Sequence, residues 1–205
     1  MSGAARFLAL GDSYTIGEGV AEDGRWPAQL AALLRDEGIA MGTPDYIATT
    51  GWTTDELRAG IAAAAPVGPY ALVSLGIGVN NQYRGWPLDT YRAEFAALLG
   101  QAIAFAGGQP SRVVVVSIPD WGRTPFARQQ GRDAGVVARE IDAFNAAAAD
   151  ICAQAGVAFV EITEASRAQA EDIAMLADDG LHPSAAMYAH WARQALPPAR
   201  RALSA

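Results

Sequence analysis

Arg6-Phe7-Leu8-Ala9-Leu10 runs directly into Gly11-Asp12-Ser13-Tyr14-Thr15-Ile16-Gly17-Glu18-Gly19. A short apolar run cut off by Gly-Asp is how a buried strand passes into a loop. Four further runs have the same form: Asp45–Ala48, Tyr70–Leu75, Arg112–Ser117 and Val157–Glu161. They are often rich in Val or Ile and are bounded by Gly, Pro, Asp or Ser. Amphipathic stretches at helical spacing lie between them. Trp26–Glu37 has Pro27 just inside its start and Gly38 just past its end, which suits a helix. Thr53–Ala65 opens on Thr53, Thr54, Asp55 and Glu56 as cap candidates and stops before Pro66. Leu88–Phe105 aligns Tyr91, Phe95, Leu98, Leu99 and Ala102 on one stripe, and Asp133–Ala155 does the same with Val137, Ile141, Phe144, Ala148 and Ile151. A last helix is expected from about Ser184 to Gln194, with Pro197-Pro198 ending or kinking it.

Strand–helix alternation five times over predicts an α/β fold. It is a three-layer α/β/α sandwich whose five-stranded parallel sheet is covered on both faces. In such sheets ligands bind beyond the carboxyl ends of the strands, so the loops after the strands are where chemistry is to be sought. The 205 residues, 51% hydrophobic and 18% charged, read as a single domain over 1–205. A net charge of −7 argues against a nucleic-acid backbone or an anionic membrane surface as main partner. All 15 basic residues are arginine, which excludes a Schiff base, a Walker lysine or a Ser-Lys dyad. One cysteine, Cys152, cannot form an internal disulfide, and with two histidines the chain is too poor in ligands for a thiolate zinc site. No metal and no cofactor are expected. No apolar run reaches the roughly 18 residues of a membrane span, and Phe7–Leu10 is too short for a signal-peptide core. A cytoplasmic protein is the resulting expectation.

Four loops carry a Ser, a Gly, an Asn and an Asp/His pair. They are Gly11-Asp12-Ser13 after the first strand, Thr49-Thr50-Gly51-Trp52-Thr53 after the second, Gly76-Ile77-Gly78-Val79-Asn80-Asn81 after the third, and Asp178-Asp179-Gly180-Leu181-His182-Pro183 near the end. Each block alone is weak; their conjunction, in order and on the expected elements, is specific. In this the sequence resembles the SGNH, or GDSL-type, esterase/lipase family. Its blocks are a Gly-Asp-Ser, a lone Gly, a Gly-x-Asn and an Asp-x-x-His, and here they span residues 11 to 182. One departure stands out: the family usually has Asp where this chain has Asn81.

The resemblance implies a flavodoxin-like SGNH hydrolase fold. It also implies hydrolysis of carboxylic esters through a serine acyl-enzyme, with Ser13 as nucleophile, His182 as base and Asp179 as its orienting carboxylate. The oxyanion donors would be the Ser13 and Gly51 backbone N–H groups and the Asn80 amide. Acyl-transfer chemistry makes these roles reasonable. A serine hydroxyl needs a base, and the chain offers only His182 and His190. Asp179 precedes His182 by three residues, close enough to curl back onto Nδ1–H and leave Nε2 for the serine. His190 and Cys152 read as structural, and Asp178 as a solvated charge. Tyr14, Trp52, Asn81, Tyr83, Trp86, Trp121 and Leu181 are expected to line a largely apolar substrate site. The 119–133 segment, with Arg123, Arg128 and Arg132, reads as a solvated loop, with a mobile cover over the site as the alternative. Short-chain acyl or aryl esters are the implied substrates, with lysophospholipid, thioester or acetylated-sugar substrates as further possibilities. Two rivals stay open at this point. One is an acyltransferase using the same Ser13. The other is a flavodoxin-like module binding phosphate on the Gly11…Gly17-x-Gly19 loop, which would leave Asp179 and His182 without a task.

Overall fold

The computed structural model describes residues 3–169 and 171–204. Strands β1 (Phe7–Gly11), β2 (Asp45–Ala48), β3 (Leu72–Gly76), β4 (Val113–Val116) and β5 (Ala158–Val160) form one parallel sheet in the order β2-β1-β3-β4-β5. Every residue of β1 and β4 is buried, while the edge strands β2 and β5 are half-buried. That gradient is what a sheet covered on both faces produces, and it explains the unbroken apolar runs of the central strands.

Two helices, α2 (Trp26–Asp36) and α9 (Ala185–Leu203), pack together on one face. On the other face α3 (Thr54–Ala64), α5 (Leu88–Phe105) and α7 (Ala134–Ala155) pack in sequence. Their starts are set chemically. Thr53 and Glu56 form a reciprocal capping box on α3, and the Asp133 side chain accepts the Val136 N–H at the head of α7. This is the three-layer sandwich that the alternation predicts. Among the described residues no helix is long and apolar enough to cross a membrane.

The structure corrects the reading of the C-terminal helix. Helix α9 passes through Pro197 and Pro198 and ends only at Leu203. The missing N–H groups leave the carbonyls of Arg193 and Gln194 without their usual donors. Both residues are exposed, so water can serve them. The apolar stripe Met187, Tyr188, Trp191, Ala192, Ala195, Ala199 and Ala202 continues across the prolines and stays buried. Burial of that stripe outweighs two lost helix bonds. The 119–133 segment is likewise not a solvated loop. It contains α6 (Pro125–Gln129), and Asp120, Trp121, Thr124 and Ala127 are buried.

If the stripe holds the last turns of α9, Ala199→Glu should destabilise the protein by about 3 kcal/mol, because it buries an unpaired carboxylate. Arg201→Glu, on the exposed side, should change stability by no more than about 0.5 kcal/mol. Urea unfolding of both variants is the measurement; equal tolerance of the two would mean that the helix does not pack beyond Pro198.

Candidate active site

The site begins where β1 runs out. A Cβ at Gly11 would lie 2.1 Å from Thr15 Oγ1 and 2.4 Å from the Gly76 carbonyl. Only glycine lets α1 (Ser13–Ile16) turn back this tightly over the end of the sheet. Asp12 caps that helix, accepting the Tyr14 N–H at 3.0 Å. Ser13 takes the first helical position, where the backbone N–H has no partner within the helix. Its side chain thus stands at the C-terminal edge of β1 with its amide beside it.

Asp12 is almost wholly buried. Burial raises its carboxyl from the ordinary 3.8 to about 7, more than the bonds from the Tyr14 N–H and its own N–H lower it. Burial also pushes up the Tyr14 phenol, and the fields of Asp12, Asp179 and Asp120 add to this. Tyr14 therefore stands as a neutral ring 5.2 Å from the ring of His182.

The loop after β2 brings Gly51 to the site at φ +84°, a left-handed conformation that favours glycine. The Arg84 guanidinium donates to its carbonyl at 2.7 Å and fixes the peptide. Neither the Ser13 nor the Gly51 N–H has an acceptor among the described residues. After β3 the chain enters α4 (Val79–Tyr83). Asn80 donates one amide hydrogen to the Trp52 carbonyl at 2.9 Å, and an amide nitrogen carries a second.

Asp179 and His182 arrive together from the loop before α9. One carboxylate oxygen accepts the N–H groups of Leu181 and His182, both at 2.9 Å. The other meets His182 Nδ1 at 2.6 Å. His182 Nε2 lies 3.0 Å from Ser13 Oγ. Burial would raise the Asp179 carboxyl, but the bonds from the His182 side chain and from the two backbone N–H groups hold it below the ordinary range. Asp178 is exposed, His190 is half-buried on α9, and Cys152 is buried on α7.

Ser13, His182, Gly51 and Asn80 border a cleft of about 190 Å³, with Tyr14, Tyr83, Trp121 and Leu181 among its walls. The sequence reading missed Thr50, Val79 and Phe126, which also line it. Thr50 and Val79 each adjoin a residue already singled out, whereas Phe126 belongs to the segment taken for a solvated loop. Three expected lining residues are elsewhere. The Trp52 indole is packed so close to Gly60 of α3 that a Cβ there would lie 2.2 Å from it. Trp86 is half-buried beyond α4, its N–H bonded to the Asn81 carbonyl. Asn81 is fully buried and brackets Thr54, accepting its N–H at 3.1 Å and donating to its hydroxyl at 2.7 Å. That pairing accounts for the departure from Asp. A carboxylate can only accept, and the Thr54 hydroxyl is already bonded to the Glu94 carboxylate, so a second carboxylate at 81 would sit buried beside the first.

The chain belongs to the GDSL-like lipase/acylhydrolase family, which it matches over residues 9–190. It is thereby a carboxylic-ester hydrolase by class. No curated protein matches it. Solved structures share the fold at low identity. A putative GDSL-like lipase from Parabacteroides merdae superposes with a TM-score of 0.77 at 15% identity, over 98% of each chain. TesA gives 0.74 at 22% identity, over 97% of this chain and 99% of that one. An acetyl xylan esterase from Geobacillus stearothermophilus gives 0.69 at 20% identity, over 97% and 96%.

The burial of Asp12 predicts a pH dependence of stability. Its folded-state carboxyl titrates near 7 and its unfolded one near 3.8. The folded state therefore holds the proton more tightly, and the stability gained from the neutral form is lost as pH rises through about 7. Asp12→Asn keeps an oxygen for the helix cap and never ionises. Relative to the parent protein it should gain on the order of a few kcal/mol between pH 5 and pH 8. Urea titrations at the two pH values would show this; a difference independent of pH would mean that Asp12 is not held neutral.

Proposed function

We propose that the protein is a serine esterase acting on short-chain acyl or aryl esters, with Ser13 as nucleophile, His182 as general base and Asp179 as its orienting partner. The observation that carries this reading is the unbroken hydrogen-bonded line from Asp179 through His182 to Ser13 at the floor of an apolar cleft. Asp179 accepts Nδ1–H and so leaves Nε2 as the lone-pair nitrogen facing Oγ. As Ser13 Oγ bonds to the ester carbonyl carbon, its proton passes to Nε2 and the carbonyl electron pair moves onto oxygen. The Ser13 and Gly51 N–H groups and the Asn80 amide then stabilise that oxyanion. Collapse expels the alcohol, which takes the proton back from the imidazolium. Water repeats the sequence on the acyl-enzyme and releases the acid.

The size of the cleft supports the substrate class. About 190 Å³ is smaller than the roughly 300–1,000 Å³ of pockets that enclose drug-sized ligands. It suits one short acyl or aryl group, with the remainder of a larger ester lying outside.

Ser13→Ala should fold normally and lose roughly 10⁴–10⁶ in kcat on p-nitrophenyl acetate. A fluorophosphonate should add once, at Ser13, as read by peptide mass mapping. A variant keeping a tenth of the activity, or an adduct on another serine, would sink the assignment.

Asn80→Ala should lower kcat by about 10²–10³ with KM little changed, since its second amide hydrogen matters most when charge develops on oxygen. His190→Ala should leave rate and pH profile near those of the parent, whereas His182→Ala should remove the activity. The opposite outcome for the two histidines would overturn the relay.

A further inference from the structure

Arg132 is exposed and lies against two residues of the cleft wall without an acidic partner. Its guanidinium carbon lies 5.3 Å from the ring centre of Tyr83 and 5.2 Å from that of Trp121. Those two rings meet edge to face at 5.3 Å and both line the cleft. Trp121 is fixed from behind. Its indole N–H donates to Gln82 at 2.8 Å, and Gln82 donates to Glu140 at 2.7 Å. The Arg132 N–H is itself bonded to the Ala127 carbonyl at 3.0 Å, which ties the residue to the end of α6. The cation is thus held on a rigid aromatic wall.

Among the described residues no carboxylate lies within ion-pair distance of Arg132. Arg84, beside the cleft through its bond to Gly51, is by contrast paired with Glu56 at 3.4 Å. Arg123 and Arg128 stand exposed on the same segment as Arg132, also without ion pairs. Three cations without ion pairs thus lie on the segment that contributes Trp121 and Phe126 to the cleft. A cation–π contact uses the charge of a guanidinium without consuming its N–H groups, which remain available to a second partner. Those N–H groups form a fork suited to a carboxylate or a phosphate.

We propose that Arg132, braced by Tyr83 and Trp121, is a subsite for an anionic group carried by the ester away from its scissile carbonyl. The proposal rests on the esterase reading above. The cleft takes one short group, and in this reading the remainder of the ester extends past Tyr83 and Trp121 toward Arg132. The anion can belong to the acyl part or to the alcohol part, and the test separates the two.

Two pairs of esters of matched size provide it. Mono-4-nitrophenyl succinate against 4-nitrophenyl pentanoate places the charge on the acyl side; 4-carboxyphenyl acetate against 4-methylphenyl acetate places it on the alcohol side. For each pair the ratio of kcat/KM, anionic over neutral, is corrected for the alkaline hydrolysis rates of the two esters. In one pair the parent enzyme should favour the anionic ester. Arg132→Gln should lower that ratio about fivefold, the upper range for an exposed ion pair, and Arg132→Lys should lower it by less, since the charge stays while the planar fork is lost. The preference should shrink as salt is raised. Ratios unchanged by Arg132→Gln in both pairs, or no anionic preference in the parent enzyme, would overturn the subsite while hydrolysis of the neutral esters leaves the esterase reading intact. Failure to hydrolyse any of the four esters would sink the esterase reading itself.

Discussion

The adjacency of β1 and β3 is the constraint from which the site follows. The chain leaves β1 toward one edge to make β2, then crosses back to lay β3 against the other side of β1. Consecutive connections therefore depart in opposite directions at this one place, and the loops above it part. Gly11 stands opposite Gly76 at the last rung of the β1–β3 ladder, and a Cβ at Gly11 would collide with the Gly76 carbonyl. The two strand ends close without side chains between them, and Ser13 and Asn80 rise from neighbouring strand ends. The Gly-Asp-Ser tripeptide becomes intelligible as physics. Glycine gives the close approach, aspartate caps the short helix, and serine takes the first position on it.

Burying a carboxyl directly beneath the proposed nucleophile has an electrostatic logic. An ionised Asp12 would oppose the oxyanion expected a residue away, and burial favours the neutral acid. Asp179 has the opposite environment, partly exposed and bonded by three donors, and it stays ionised beside the imidazole. Two aspartates of one site are thus shifted in opposite directions, Asp12 upward by burial and Asp179 downward by its hydrogen bonds.

The strands and long helices were legible because period and punctuation agree there. Val113–Val116 has no other plausible reading, and Leu88–Phe105 shows its buried stripe in the sequence. The short helices Ser13–Ile16, Val79–Tyr83, Pro125–Gln129 and Thr163–Gln169 escaped, since one or two turns carry no period. The serine, asparagine, aspartate and histidine of the candidate site could be named because chemistry restricts them to few types and the chain has only two histidines, whereas Thr50 gave no such signal. The aromatic wall was less legible. Adjacency to a functional residue says nothing about which way a ring points: Trp52 turns onto Gly60, while Trp121 faces the cleft. Pro197 and Pro198 misled for a related reason, because local breaking propensity was weighed without the tertiary stripe that overrides it.

The proposed base and nucleophile belong to different parts of the architecture. Ser13, Gly51 and Asn80 ride on loops of the sheet, whereas Asp179 and His182 form a local turn that leads into α9 and is tied to α6 by the bond from the Phe126 N–H to the Gly180 carbonyl. Helix α9 packs on α2 and on strands β3, β4 and β5, with Tyr188, Trp191 and Ala195 buried beneath it. Loosening of that layer would move the imidazole before the strands separate, a sub-global event of the kind that precedes complete unfolding, so strengthening the packing beneath α9 is a route to heat tolerance that leaves the cleft untouched.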